Sequence, residues 1–388
     1  MTGNDRFVLV GGGPAAYAAA RAYRDAGGDA DVLLLSADIE PPYERPPLSK
    51  EFLRGEAGED DLPLAPAGFY REHRIDVELG DPVVTLDPGE RTVTTAAGRT
   101  VGYSHCLLAT GAEPVRPPIP GADHPAIRTL RSASSGRELR EAAKNARSVV
   151  VAGAGFIGCE AAISLSRLGV QVTVLCPEEE PQQRRLGSVA GRKLHRWLRC
   201  EGVSVLTDTR LLGVDDGYRI RTELVPLLDT DLVLLATGIR PRGELAERAG
   251  ISTSQGRVCV DEHMRSSEPG VLAAGDVALA FHASARRPLV VEHWDDALTM
   301  GAIAGRTAAG AEASWTAPPG FRSVLGDRYL KYAAWGDGFD EAELVQHDDE
   351  AFTVWYTRDG VVVGVLTHDA DADHERGVAL VEAGRPRH

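Results

Sequence analysis

Two copies of one glycine pattern, one at the N-terminus and one near the middle, limit what this chain can fold into. Residues 6–36 read as a buried strand "RFVLV", a glycine turn "GGGPAA", an Ala-rich helix and a second strand "DVLLLS". Gly11, Gly13 and Ala16 fill a GxGxx(G/A) pattern, with Pro14 and Ala15 between them. The first glycine permits the tight turn, the second lets a pyrophosphate approach the backbone, and the small third residue lets helix and strand pack closely. The helix start then offers free N–H groups and a partial positive charge to the phosphates. The order recurs in "SVVVAGAGFIGCEAAISLSRLGVQVTVLC", where Gly153, Gly155 and Gly158 bracket Phe156 and Ile157. One such pattern is weak evidence. Two, each framed by strand and helix of the right length, predict an α/β chain with two Rossmann-like dinucleotide-binding domains.

A second repeat supports this reading. "CLLATGAEPVRPP" (106–118) and "LVLLATGIRPR" (232–242) each run from an apolar strand into Ala-Thr-Gly. Ala109, Thr110 and Gly111 form the first of these turns, and Thr237 and Gly238 close the second. Such sharp turns can carry the chain from one domain to another. "PGVLAAGDVA" (269–278) ends a further strand at Gly275 and Asp276, whose carboxylate would accept hydrogen bonds from polyol hydroxyls. Two dinucleotides in one chain point to a flavin and a nicotinamide, with hydride passing from one ring to the other. "PPYERPPLSK" (41–50) follows the second strand. Its proline pairs restrict the backbone, so Arg45 and Lys50 are presented at little ordering cost.

At 388 residues the chain is long for one core. The formal charge of -15 argues against nucleic acid and against an anionic membrane surface. Neither a secretory signal nor a membrane-spanning apolar run is evident, so a cytoplasmic protein is expected. The five cysteines are scattered with no CxxC pair, which predicts neither a disulfide framework nor a metal site.

With these pieces in order, the sequence resembles the FAD- and NAD(P)H-dependent ferredoxin reductases of oxygenase systems. The segments that carry the resemblance are "GGGPAA", "PPYERPPLSK", "LLATGAEPVRPP", "VVVAGAGFIGCEAA", "LLATGIRPR", "VLAAGDVA" and "VVEHWDDAL", in the family's order over about residues 6–310. The resemblance implies that the first fingerprint holds the FAD pyrophosphate and that Asp38 takes the adenosine ribose. Val83 would meet the adenine, and Arg45 and Lys50 would reach the flavin side. Thr110 and Gly111 would line the same channel, and Asp276 would bind the ribitol. Glu292, His293 and Trp294 would lie along the isoalloxazine. The second fingerprint would bind NAD(P)H, with Glu160 near the nicotinamide and paired with Lys50. That pair makes physical sense, because a lysine offsets charge arriving on the flavin and a glutamate keeps the lysine from being unpaired. Lys50 and Glu160 are therefore the candidate catalytic residues. No cysteine lies between residues 36 and 60, so a dithiol relay on that helix is excluded and electrons must leave the flavin directly.

The sequence departs from the family at two places. At the end of the second strand of the second fingerprint stands Cys176, where NAD-preferring members place a glutamate. Glu178 would substitute for it, whereas Arg184 and Arg185 would favour a phosphate. The donor is thus open between NADH and NADPH, with NADH slightly favoured. The C-terminal segment has Arg322 and Val324 where the family has a Trp and an Asp, which leaves the acceptor in doubt. The expected organisation is an FAD domain of two pieces (1–113 and 239–315), an inserted NAD(P)H domain (114–238) and a C-terminal α+β domain (316–388). The expected partner is a ferredoxin-type iron–sulfur protein, docking on a basic cluster of Arg45, Arg322 and Arg328. Alternatives are an NAD(P)H oxidase or small-acceptor reductase, or a redox-sensing protein like the apoptosis-inducing factors. A monomer or homodimer is expected.

Overall fold

The computed structural model describes residues 5–225, 227–348 and 350–387. Strands Arg6–Val10, Asp31–Ser36, Ile75–Leu79, His105–Leu108 and Val271–Ala273 form one all-parallel sheet with Arg6–Val10 at its centre. The inner residues of four of these strands are almost wholly buried, as apolar runs covered on both faces must be, whereas the edge strand Ile75–Leu79 carries the exposed Asp76 and the half-buried Val77 and Glu78. Helix Pro14–Asp25 packs against helix Trp294–Ala308 through small residues. A Cβ on Gly301 would lie 2.2 Å from the Ala15 carbonyl oxygen, and one on Gly305 2.2 Å from that of Ala19. This close approach fixes the two helices that start beside the first glycine turn.

A second all-parallel sheet contains Ser204–Leu206, Gln171–Leu175, Ser148–Ala152, Leu232–Leu235 and Arg128–Thr129, in that spatial order. The chain passes from the first sheet to the second, and back, through the two Ala-Thr-Gly segments. The residues that follow them pair antiparallel, Ala112 opposite Pro241 and Pro114 opposite Ile239. The hydroxyl of Thr110 donates to the Arg242 carbonyl at 2.8 Å, and that of Thr237 to the Val115 carbonyl at 2.7 Å. The repeat in sequence is thus a reciprocal knot in structure: each threonine ties down the other crossing.

The C-terminal sheet is antiparallel, in the order Gly320–Leu325, Arg328–Ala334, Val361–His368, Phe352–Arg358 and Glu341–Gln346. Helix Asp371–Ala383 lies on it, with Gly377 closely apposed to Val365. This helix begins earlier than the polar tail alone suggests. Within strand Gly320–Leu325, Phe321 and Ser323 turn inward and Arg322 outward, the alternation expected of a half-buried strand. No helix among the described residues is long and apolar enough to cross a membrane.

Candidate active site

One cavity of about 2130 Å³ runs between the two glycine turns and beneath the C-terminal sheet. Every site residue singled out above borders it except Ala16, which is fully buried in the helix face. Ala16 packs in the helix face, the place of the small third residue of the pattern.

The two turns are built alike. Gly11 has φ +130° and a Cβ there would sit 2.2 Å from the Ala109 carbonyl oxygen. Gly153 has φ +114° and its Cβ would meet the Ala236 carbonyl oxygen at 2.2 Å. In each case the residue before Thr-Gly closes against the first glycine, so the two repeats of the sequence meet in space. Gly13 and Gly155 are the helix N-caps and carry no capping side chain, which leaves N–H groups free for an anion. Nothing lies within 4 Å of a Cβ placed on Gly155, and at Gly13 the one neighbour is the Arg45 guanidinium, at 3.8 Å. These open helix starts, the first with a guanidinium beside it, fit the pyrophosphates of two dinucleotides.

Arg45 thus stands beside the first glycine turn. Burial and the neighbouring Arg131 push its guanidinium pKa down. Arg131 forms an ion pair with Asp276. Sequence reasoning missed Arg131; its only local signal is the Ser132 capping box that starts the next helix. Asp38 is already engaged: one carboxylate oxygen accepts the Tyr43 hydroxyl at 2.8 Å and the other the Glu40 N–H at 3.3 Å. The Tyr43 oxygen in turn accepts the Ala133 N–H at 3.1 Å, linking the decapeptide to the helix after Arg131. Val83 borders the same end.

At the centre, Lys50 and Glu160 meet with Nζ 2.9 Å from Oε2, at 9% and 7% exposure. Lys50 lies between a short 3₁₀ turn, Pro46–Ser49, and a one-turn helix, Glu51–Arg54, not inside one continuous helix. Glu160 comes from helix Phe156–Arg167. Its carboxylate also accepts the Ser49 hydroxyl at 2.6 Å on Oε2 and the Ser323 hydroxyl at 2.7 Å on Oε1. Both serines were missed in sequence.

Next to this group, Phe156 packs on Phe321 with ring centroids 4.2 Å apart, and Phe321 stacks on Tyr332. Arg185 lies over Phe156 and donates to His293 Nε2 at 3.2 Å. Burial and that guanidinium hold the His293 imidazole down to a pKa of about 3, so it is neutral. The side chain of Glu292 is taken by the buried Arg257. Trp294 begins the helix Trp294–Ala308 at the cavity wall.

At the far end of the second turn, Cys176 borders the cavity at 1% exposure, its thiol pushed up to about 11 by burial. Arg184 and Arg185 diverge. Arg184 points outward and pairs with Glu178 at 3.4 Å, and its backbone N–H also donates to that carboxylate. Arg185 points inward to His293. Arg210, missed in sequence, borders this end too.

The model of one protein family, described as pyridine nucleotide-disulphide oxidoreductase, matches residues 5–301. The chain belongs to this family. It is an oxidoreductase of the class that uses FAD and NAD(P)H. It is similar to a ferredoxin–NAD(P)(+) reductase of Sphingomonas sp., 33% identical over 97% of this chain and 92% of the relative. Among solved structures it is similar to the ferredoxin reductase for the CYP199A2 system from Rhodopseudomonas palustris. That likeness has a TM-score of 0.93 at 26% identity, covering 99% of this chain and 96% of the other. The reductase–putidaredoxin covalent complex gives a TM-score of 0.93 at 25% identity, over 99% and 94%. Despite the family's description, all five cysteines are free, and Cys176 is the one cysteine bordering the cavity among the described residues.

The expected basic docking cluster is not assembled. Arg45 is inside the cavity, and Arg328 is paired with Glu201 and Glu350 over the Trp197 ring, away from it. Arg322 alone is exposed at the mouth, 3.6 Å from Asp295. Beside Asp295, Asp296 is buried in the first turn of its helix against Gly320, and one of its oxygens has no hydrogen-bond partner. Burial pushes its carboxyl up to about 8. The folded state therefore holds a proton that the unfolded chain releases near its ordinary value of 3.8. That stability is fully present below the unfolded value and is lost as pH rises through 8. Asp296→Asn should flatten this dependence and stabilise the protein by about 3 kcal/mol above pH 8, the scale of an unpaired buried charge. Thermal unfolding of both forms between pH 5 and 9 checks it.

Proposed function

We propose that this chain is an NAD(P)H-dependent flavoprotein reductase that passes electrons to a ferredoxin-type iron–sulfur protein serving a P450 or dioxygenase. The Lys50–Glu160 ion pair carries the reading. It joins the side of the cavity bordered by the first fingerprint to the helix of the second, and no cysteine pair stands beside it to relay electrons. The relatives named above are reductases of that kind by name.

The first turn, Arg45, Asp38, Val83 and Asp276 would hold FAD, and the second turn with Phe156 and Ile157 would hold NAD(P)H. FAD bound there would accept a hydride and release its electrons singly. Lys50 would offset the negative charge that reduction brings, Glu160 would orient the nicotinamide, and the aromatic cluster of Phe156, Phe321 and Tyr332 would keep water out. We place the domain limits at the two crossings: 1–113 with 239–315, then 114–238, with 316–388 as the third.

NADH is the favoured donor, because Glu178 borders the adenosine end and partly neutralises Arg184. Cys176→Glu should raise the preference for NADH over NADPH by about tenfold, the worth of one charged hydrogen bond. The ratio of kcat/KM for the two donors checks it.

The function is tested with the purified protein, NADH, a ferredoxin and cytochrome c. Cytochrome reduction that requires the ferredoxin is expected. Rapid oxygen consumption that ferredoxin does not alter would replace this reading with an oxidase.

A further inference from the structure

We infer that Ser323, from the C-terminal sheet, is a positioning residue that leaves Glu160 one acceptor site for the amide N–H of the nicotinamide carboxamide. A carboxylate offers about four lone-pair positions. On Glu160 Oε2, two are filled by the Ser49 hydroxyl at 2.6 Å and Lys50 Nζ at 2.9 Å. On Oε1, one is filled by the Ser323 hydroxyl at 2.7 Å. A single position remains, on Oε1.

Glu160 borders the cavity, whereas Ser323 lies behind it at 3% exposure and does not. The remaining position is therefore the one turned toward the cavity. Ser323 cannot itself touch a ligand; it acts by holding the carboxylate plane. Three separate pieces of the chain converge on this one group: the proline decapeptide through Ser49 and Lys50, helix Phe156–Arg167 through Glu160, and strand Gly320–Leu325 through Ser323. Ser49 is anchored in turn, since its carbonyl accepts the Ser164 hydroxyl at 2.7 Å from the same helix as Glu160. A carboxylate so fully committed reads one donor in one direction, which fixes the face that the nicotinamide presents. The C-terminal sheet thus takes part in hydride delivery and not only in meeting the acceptor.

The inference rests on the reading of Glu160 as a nicotinamide contact. Its test compares wild type, Ser323→Ala, Ser323→Cys and Ser323→Thr, each with FAD bound. Two donors are used: NADH and the reduced 3-acetylpyridine analogue, whose methyl ketone lacks the amide N–H. Flavin bleaching is followed anaerobically, and the affinities of the two oxidised dinucleotides are measured by calorimetry. With NADH, Ser323→Ala should react about tenfold more slowly and bind NAD(+) about tenfold more weakly, the worth of one hydrogen bond to a charged group. Ser323→Thr should restore both, and with the acetylpyridine analogue the variants and wild type should coincide. Should the alanine form fail to fold, Ser323→Cys, which keeps the shape and donates weakly, should show the same selective loss. Equal losses with both dinucleotides, or no loss with NADH, would overturn the inference. A wild type that NADH does not bleach would instead defeat the underlying function.

Discussion

Lys50→Ala should keep FAD bound but slow its reduction by NADH by about a hundredfold or more, the usual loss on removing one charge that faces developing charge. The alanine form loses the cation that pairs with Glu160 on the helix of the second glycine turn. Glu160 keeps its hydrogen bonds from Ser49 and Ser323, so the carboxylate stays in place but becomes an unpaired buried charge. The lysine is not among the nearest neighbours of Gly11 or Gly13, where Arg45 stands, so flavin retention should be near normal. Stopped-flow bleaching of the bound flavin, with the flavin-to-protein ratio measured on the same sample, checks both halves. An unchanged rate would remove Lys50 from the chemistry.

The same substitution placed in the two fingerprints should give opposite results. In Gly11→Ala the new methyl would meet the Ala109 carbonyl, and in Gly153→Ala the Ala236 carbonyl, each at 2.2 Å and each at a positive φ. Neither neighbour is a flexible side-chain end, so each turn must open, at more than about 3 kcal/mol locally. Gly11→Ala should purify largely free of flavin. Gly153→Ala should remain yellow, yet be reduced by NADH about a hundredfold more slowly, while a chemical reductant still bleaches it. Flavin content and reduction rate on the two proteins separate these outcomes. Flavin lost equally from both would mean that the turns are not assigned as proposed.

Much of this architecture was legible in the sequence because its signals are local. A glycine turn between a strand and a helix is written within a dozen residues, and the Ala-Thr-Gly repeat is short enough to be seen twice. The structure gave that repeat a second use, since Thr110 and Thr237 tie the crossings to each other. The Lys50–Glu160 pair was legible only through resemblance, because its partners lie 110 residues apart.

What stayed hidden is of one physical kind. Ser49, Ser323 and Arg131 are common residue types whose meaning depends on a partner far along the chain. The arginines were misjudged for a related reason. Sequence shows the charge but not its direction, so Arg184 and Arg185 looked equivalent while one points out to Glu178 and the other in to His293. Arg328 looked like a docking residue, but it is held by Glu201 and Glu350. The exposed Arg322 is the member of that cluster left at the mouth.

The most direct test is a single turnover. The yellow protein is mixed anaerobically with one equivalent of NADH, and then with an oxidised ferredoxin. The account predicts rapid bleaching in the first mixing, followed by return of the yellow colour as two equivalents of ferredoxin are reduced. Bleaching that ferredoxin cannot reverse, but oxygen can, would contradict it.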